Sequence, residues 1–157
     1  MPAKVVKEFL DQNNIKYVSI KHSRAFTAQE IAASAHIHGK KIAKTVVLKV
    51  DGKIVFAVLP ATYKVDFNLL KEALKTDNVR LANELEFKDK CPGCEVGAMP
   101  PMGNLFGIET YVAASLVEDE EIAFNAGTHT ELIRLNYSDY EKLVKPKILR
   151  FSAKYKT

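Results

Sequence analysis

Lys40-Lys41-Ile42-Ala43-Lys44-Thr45-Val46-Val47-Leu48-Lys49-Val50-Asp51-Gly52-Lys53-Ile54-Val55-Phe56-Ala57-Val58-Leu59-Pro60 is two apolar, β-branched runs separated by Asp-Gly. Asp-Gly is a preferred two-residue hairpin turn, because both central positions of that turn take positive φ. The pattern therefore predicts strands over residues 43–50 and 53–59 joined at Asp51 and Gly52. Runs this apolar on both faces belong to strands covered on both sides, which places the pair in the middle of a sheet; Pro60, lacking an N–H, stops the second. Lys44 stands at the mouth of the first strand, so its ammonium is more than one further solvated surface charge.

Upstream, Val5, Val6, Phe9 and Leu10 recur at helical spacing and Asn13-Asn14 ends the pattern. A short strand is expected over residues 15–20, and Thr27-Ala28-Gln29-Glu30 is a capping box for a helix through Ile31, Ala32 and Ala35, closed by Gly39. Downstream, Asp66 caps a helix through Phe67, Leu70 and Leu74, residues 79–81 read as a brief strand, and Asn83-Glu84 starts a further helix. Residues 88–107 hold four of the seven glycines and three of the six prolines, the mark of a long shaped loop, a kind that in compact domains is usually functional. Strand character returns over residues 108–117 and 121–125, read as a hairpin across Glu118-Asp119-Glu120. Residues 131–135 form another strand, Ser138 caps a short helix ending before Pro146, residues 148–151 add an edge strand, and the basic tail from Ser152 frays. Hairpins alternating with helices indicate an α+β domain around a mixed or antiparallel sheet.

The length of 157 residues suits a single domain spanning 1–157 with a sizeable core. With 47% hydrophobic and 27% charged residues, a mean hydropathy of −0.10 and no apolar run of bilayer length, the expected class is a soluble protein. The first ten residues mix Lys and Glu with apolar residues and lack the core of a secretory signal, so the expected location is the cytoplasm. A net charge of +4 and a pI near 9.0 fit a polyanionic partner such as RNA without requiring one.

Three segments could converge on one site. Lys44-Thr45 offers an ammonium that can bind a phosphate or carboxylate or polarise an ester carbonyl, against the alternative of a strand-end lysine that merely extends to solvent. Gly97-Ala98-Met99-Pro100-Pro101-Met102-Gly103 is stiffened by two prolines and rich in acceptors because Pro100 and Pro101 have no N–H; the competing reading is a structural turn. Ala126-Gly127-Thr128-His129 could form an anion nest with an imidazole at its edge, although a lone histidine is more often structural. Cys91-Pro92-Gly93-Cys94 is half a zinc site or a redox pair; His22, His36, His38 and His129 do not supply the spacing of a second half, so a tight turn is the simpler reading and no metal is assigned. No nucleophile elbow, Walker loop, dinucleotide loop or histidine-glutamate zinc motif is present. A hydrolase built on this chain would rely on positioning, electrostatics and water.

In that order, Lys44-Thr45, Cys94-Glu95-Val96-Gly97-Ala98-Met99-Pro100-Pro101 and Asn125-Ala126-Gly127-Thr128-His129-Thr130, with Tyr17, His22, Phe26 and Thr27 upstream, resemble the YbaK/prolyl-tRNA synthetase-associated domain family of aminoacyl-tRNA deacylases over nearly the whole length. The resemblance implies a mixed, partly barrel-like β-sheet flanked by helices that hydrolyses the ester of mischarged tRNA in trans. It implies that Lys44 places the 3′-terminal adenosine, that residues 97–101 hold the aminoacyl group, that Gly127, Thr128 and His129 close the pocket, and that a water helped by the ribose hydroxyl attacks the carbonyl. It also implies Tyr17, His22, Phe26, Thr27 and Thr45 as substrate contacts, with no cofactor, metal, DNA or membrane involved and a transient synthetase contact as the further partner. Met102 departs from the family by standing where an aromatic is frequent, and Cys91 adds a thiol to the loop. Alanine, cysteine or another small residue on tRNA(Pro) is the expected substrate, since a small pocket excludes larger side chains most readily. A non-catalytic module binding tRNA ends or a synthetase, and a metal or redox protein using Cys91 and Cys94, are the competing readings.

Overall fold

The Asp51–Gly52 turn forms as its sequence requires, with φ of +48° at Asp51 and +84° at Gly52. The strands it joins are in register from Val50 opposite Lys53 to Ala43 opposite Pro60. The computed structural model describes residues 2–21, 42–95, 97–118 and 120–154. Its strands are β1 (Tyr17–Lys21), β2 (Ile42–Val50), β3 (Lys53–Pro60), β4 (Tyr63–Val65), β5 (Val79–Leu81), β6 (Glu109–Ala113), β7 (Glu121–Asn125), β8 (Glu131–Asn136), β9 (Lys147–Leu149) and β10 (Ser152–Lys154). The helices are α1 (Pro2–Gln12), α2 (Phe67–Leu74), α3 (Glu84–Phe87), α4 (Ala114–Val117) and α5 (Tyr137–Val144). The predicted helix after Thr27 lies outside the described residues.

Seven strands run in the order β1-β8-β7-β2-β3-β6-β9, with β5 added beside the far end of β2, so the predicted central hairpin is central. The sheet is mixed: β2–β7, β3–β6 and β6–β9 are parallel and the remaining pairs antiparallel. On one face Val6 and Leu10 of α1, Leu116 of α4 and Tyr140 of α5 meet Val58, Phe124 and Ile133. On the other, Leu70 of α2 and Phe151 meet Leu48, Ala57 and Leu59. Asp66 caps α2 as expected, its side chain accepting from Leu69 N at 3.1 Å.

Three local expectations are corrected. Residues 108–117 and 121–125 do not form a hairpin: the chain turns helical at Ala114, leaves β6 between β3 and β9, and returns as β7 on the far side of β2. The reason is that β2 and β3 each have a free flank, and a parallel neighbour on each side buries both, which a hairpin between β6 and β7 would not do. The tail is not frayed at Ser152, because residues 152–154 pair antiparallel with residues 63–65 of β4, a strand too short to stand out from its own sequence. The N-cap position of α5 is Asn136 rather than Ser138, with no side-chain capping bond; Tyr137 N instead donates to Glu120 O at 2.9 Å.

Candidate functional site

β2 is shared unequally along the flank away from β3. β7 pairs with it only at Ile42 and Ala43, and β5 only from Leu48 to Val50, with Ala82 N donating to Val47 O between them. The ladders of β7 and β5 thus stop short of residues 44–46, and the interval between them is a seam along β2. Register places Lys44 alongside Asn125, since Ala43 pairs with Phe124. Lys44 is half-buried and Thr45 is 8% exposed. The expectation that Lys44 opens a central strand holds, and the seam beside it is a feature that strand patterning could not reveal.

The glycine turn and the proline loop meet at this seam. Gly127, at φ +91°, accepts through its carbonyl from Glu95 N at 2.8 Å, which clasps the turn to the start of the loop. Two residues on, a methyl group built on Gly97 would stand 3.5 Å from His129 Cε1 and 3.6 Å from Nε2, so the imidazole lies over the Gly97 backbone. Gly97 has φ +83°, a conformation a side chain would strain. Residues 97, 127 and 129 are thus one cluster, joined from segments thirty residues apart in the chain.

Most of the loop is core rather than rim. Ala98, Met99, Pro100, Pro101 and Met102 are buried; Met99 shares a cluster with Val47 and Phe56, and Met102 one with Val58 and Val112. Tyr140 Oη donates to Pro101 O at 2.6 Å, so one of the acceptors expected to face a ligand is used inside the protein. Thr128 Oγ1 and Thr130 Oγ1 lie 3.2 Å apart within the turn. Tyr17 is not brought to the seam: β8 and β7 separate its strand from β2, and its side chain packs against the cluster that holds Leu10 and Leu135. Burial, and then a hydrogen bond with Asp11, raise its pKa. His22, Phe26 and Thr27 lie outside the described residues.

Three residues to which the sequence patterns assign no role support the site. Glu131 ends the turn: its carbonyl accepts from Ala126 N at 3.1 Å, while its carboxylate accepts from Ser19 Oγ at 2.5 Å and pairs with Lys7. Burial pushes the Glu131 pKa up, but bonds from Lys7 and Ser19 and the nearby Lys21 charge more than offset it, leaving it below the usual value. Tyr140 is the second support. The third is Asn125, whose Oδ1, like Thr45 Oγ1, is buried without a hydrogen-bond partner. Two unpaired buried acceptors on the residues flanking the seam are exceptional, because such groups are ordinarily satisfied. Among the described residues no three His, Cys, Asp or Glu side chains converge to hold a metal, and no helix is long and apolar enough to cross a membrane.

This fold and site define a class. The model of the aminoacyl-tRNA editing domain matches residues 22–143, and the chain belongs to that family of aminoacyl-tRNA ester hydrolases. It is 32% identical over 114 residues to the multifunctional Ser/Thr-tRNA deacylase ProXp-y of Escherichia coli (strain K12), covering 69% of this chain and 68% of that protein. It is 31% identical over 104 residues to the proline–tRNA ligase of Bacillus mycoides (strain KBAB4), covering 64% of this chain but 18% of the ligase. The crystal structure of a candidate trans-editing enzyme for prolyl tRNA synthetase superimposes with a TM-score of 0.83 over 97% of both chains at 19% identity, a likeness of fold.

Proposed function

We propose that this chain acts as a deacylase, in the cytoplasm and in trans, on tRNA carrying a small, wrongly attached amino acid, with at most a transient synthetase contact. What supports this reading is the seam at Lys44 together with the clasped cluster of Gly97, Gly127 and His129, whose turn follows directly on Asn125 in the strand beside it. Lys44 holds the 3′-terminal adenosine electrostatically, Thr45 and residues 97–101 border the aminoacyl group, and Gly127, Thr128 and His129 close over it, with His22, Phe26 and Thr27 completing the substrate surface. A water attacks the ester carbonyl, the bond to the ribose oxygen breaks, and the proton from water passes to that oxygen. Neither a protein nucleophile nor a metal is used, and the binding energy serves to fix water and ester in line.

Alanine and cysteine on tRNA(Pro) satisfy the size argument. The orphaned Thr45 Oγ1 and Asn125 Oδ1 favour serine and threonine in addition, because a side-chain hydroxyl would pair with an acceptor that otherwise stays unsatisfied. The E. coli relative named for Ser/Thr-tRNA supports the same extension. The test is a panel of tRNAs charged with alanine, cysteine, serine, threonine and proline. Ester loss is expected with the small residues and not with proline; no hydrolysis of any mischarged tRNA refutes the reading. Lys44→Ala is expected to lower turnover by about 100-fold or more with the fold retained. Thr45→Val, which keeps the shape and deletes the hydroxyl, is expected to cost roughly tenfold on serine over alanine. Equal rates for Lys44→Ala and wild type would take that lysine out of the site.

A further inference from the structure

The Cys91-Pro92-Gly93-Cys94 turn has no part in the chemistry above, yet it is built into the same loop. Cys94 N donates to Cys91 O at 3.0 Å, Gly93 sits at φ +82°, and the turn brings the two Cα atoms to 5.6 Å with the sulfurs joined. That Cα separation is the ordinary one for a disulfide. Cys91 is 3% exposed and fixed in the core with Phe87, Met99 and Ile108, whereas Cys94 is half-buried. The residue after Cys94 is Glu95, whose N–H makes the 2.8 Å clasp to Gly127 and whose carbonyl accepts from Ala98 N at 3.0 Å.

We propose that Cys91 and Cys94 form a reversible dithiol–disulfide site that reacts with low-molecular-weight disulfides and sets the Glu95–Gly127 clasp; its effect on turnover rests on the deacylase reading. Cys94, the more accessible sulfur, attacks as thiolate on one sulfur of a small disulfide, whose S–S bond breaks and releases one thiol. Cys91 then loses its proton to solvent and attacks Cys94 Sγ, closing the internal disulfide and releasing the second thiol. Two electrons leave the protein pair and reduce the small disulfide to two thiols, which take up the two protons. Opening the bond moves the sulfurs from bonding to van der Waals separation, on the order of 1.5 Å. Because Cys91 is held in the core, that displacement falls on Cys94 and so on Glu95. A 2.8 Å hydrogen bond does not survive such a shift unless Gly127 follows, and Gly127 stands two residues before His129.

The experiment poises the full chain in glutathione buffers from fully reduced to fully oxidised. The pair is read by thiol-reactive mass tags, Glu95 N–H by hydrogen exchange, and turnover on the mischarged tRNA panel. Both thiols are expected to disappear together, with Glu95 exchange slowing and turnover rising about 10- to 100-fold at the same midpoint. Cys94→Ser and, separately, Cys91→Ser should show neither response. Thiols that tag fully at every glutathione ratio, Glu95 exchange that ignores their oxidation, or one equivalent of zinc held by the reduced protein each overturn the proposal. If exchange follows oxidation but neither state hydrolyses any charged tRNA, the deacylase reading fails and the redox coupling stands.

Discussion

Tyr140→Phe removes one oxygen atom and nothing else. Tyr140 is fully buried, its hydroxyl donates to Pro101 O at 2.6 Å, and its ring lies 5.8 Å from that of Tyr137. Phenylalanine keeps the ring and its packing but leaves a buried carbonyl without a donor, a loss of roughly 1–3 kcal/mol. Taking about 2 kcal/mol, and about 2–4 °C per kcal/mol for a chain of this size, Tm should fall by about 4–8 °C. The bond is also the tether between α5 and the loop that begins at Gly97, so KM for mischarged tRNA should rise at temperatures where the variant stays folded. Calorimetry beside steady-state kinetics measures both, and Tyr137→Phe serves as the control. The Tyr137 hydroxyl donates to Glu141 Oε1 at 3.1 Å on a half-exposed carboxylate, so its loss should matter less. A shift in Tm of Tyr140→Phe no larger than about 1 °C, the size of an ordinary surface change, would refute the claim that this hydroxyl holds the loop.

Gly103→Ala should destabilise strongly, because the new Cβ would press on the Ile108 carbonyl, with its carbon at 3.0 Å, and on the Thr110 hydroxyl that accepts from Gly103 N; a loss of about 3 kcal/mol or more in urea unfolding is expected, and wild-type stability would show that the 103–108 turn can relax. Glu131 gives an acid-side dependence: its folded pKa lies below the unfolded value, so its stabilisation is present above about pH 4.5 and is lost as pH falls through the lowered folded value. Urea midpoints measured from pH 7 downward should therefore fall less steeply for Glu131→Gln than for wild type, and parallel curves would remove the carboxylate from the account. Gly97→Ala should reduce turnover more than stability, since its Cβ meets only His129 at ordinary contact distance while φ is strained; equal kcat and KM would show that His129 and Gly97 need not be in register.

What could be read from sequence was what is decided within a few residues. Asp51-Gly52 carries its own turn geometry, Asp66 its own cap, and the apolar runs of β2 and β3 announce burial on both faces. Partner choice between distant strands was not legible. Residues 109–113 have the same strand character whether they pair with β7 or with β3, and only the competition for the flanks of the central hairpin selects the latter. The site behaved the same way. Lys44, Glu95, Gly97, Gly127 and His129 stand in motifs that the sequence displays, whereas the bonds by which Glu95, Glu131 and Tyr140 reach segments 32 residues or more away are shown by no local pattern. Tyr17 shows the converse, since its place in the upstream motif suggested the site and the strand order carries it away.

A gap in a sheet invites filling. Exposed strand flanks template the addition of further strands, from the same chain or from a neighbouring copy, and the loop whose Met99 shares a cluster with Val47 packs beside β2. That loop continues as Pro100-Pro101, which has no N–H to donate to a ladder. The two prolines can therefore lie against the opening without zipping it shut. Replacing both with residues that carry an N–H would remove this block to strand addition, so the doubly substituted chain should bind amyloid-type dyes or self-associate before it loses its helices.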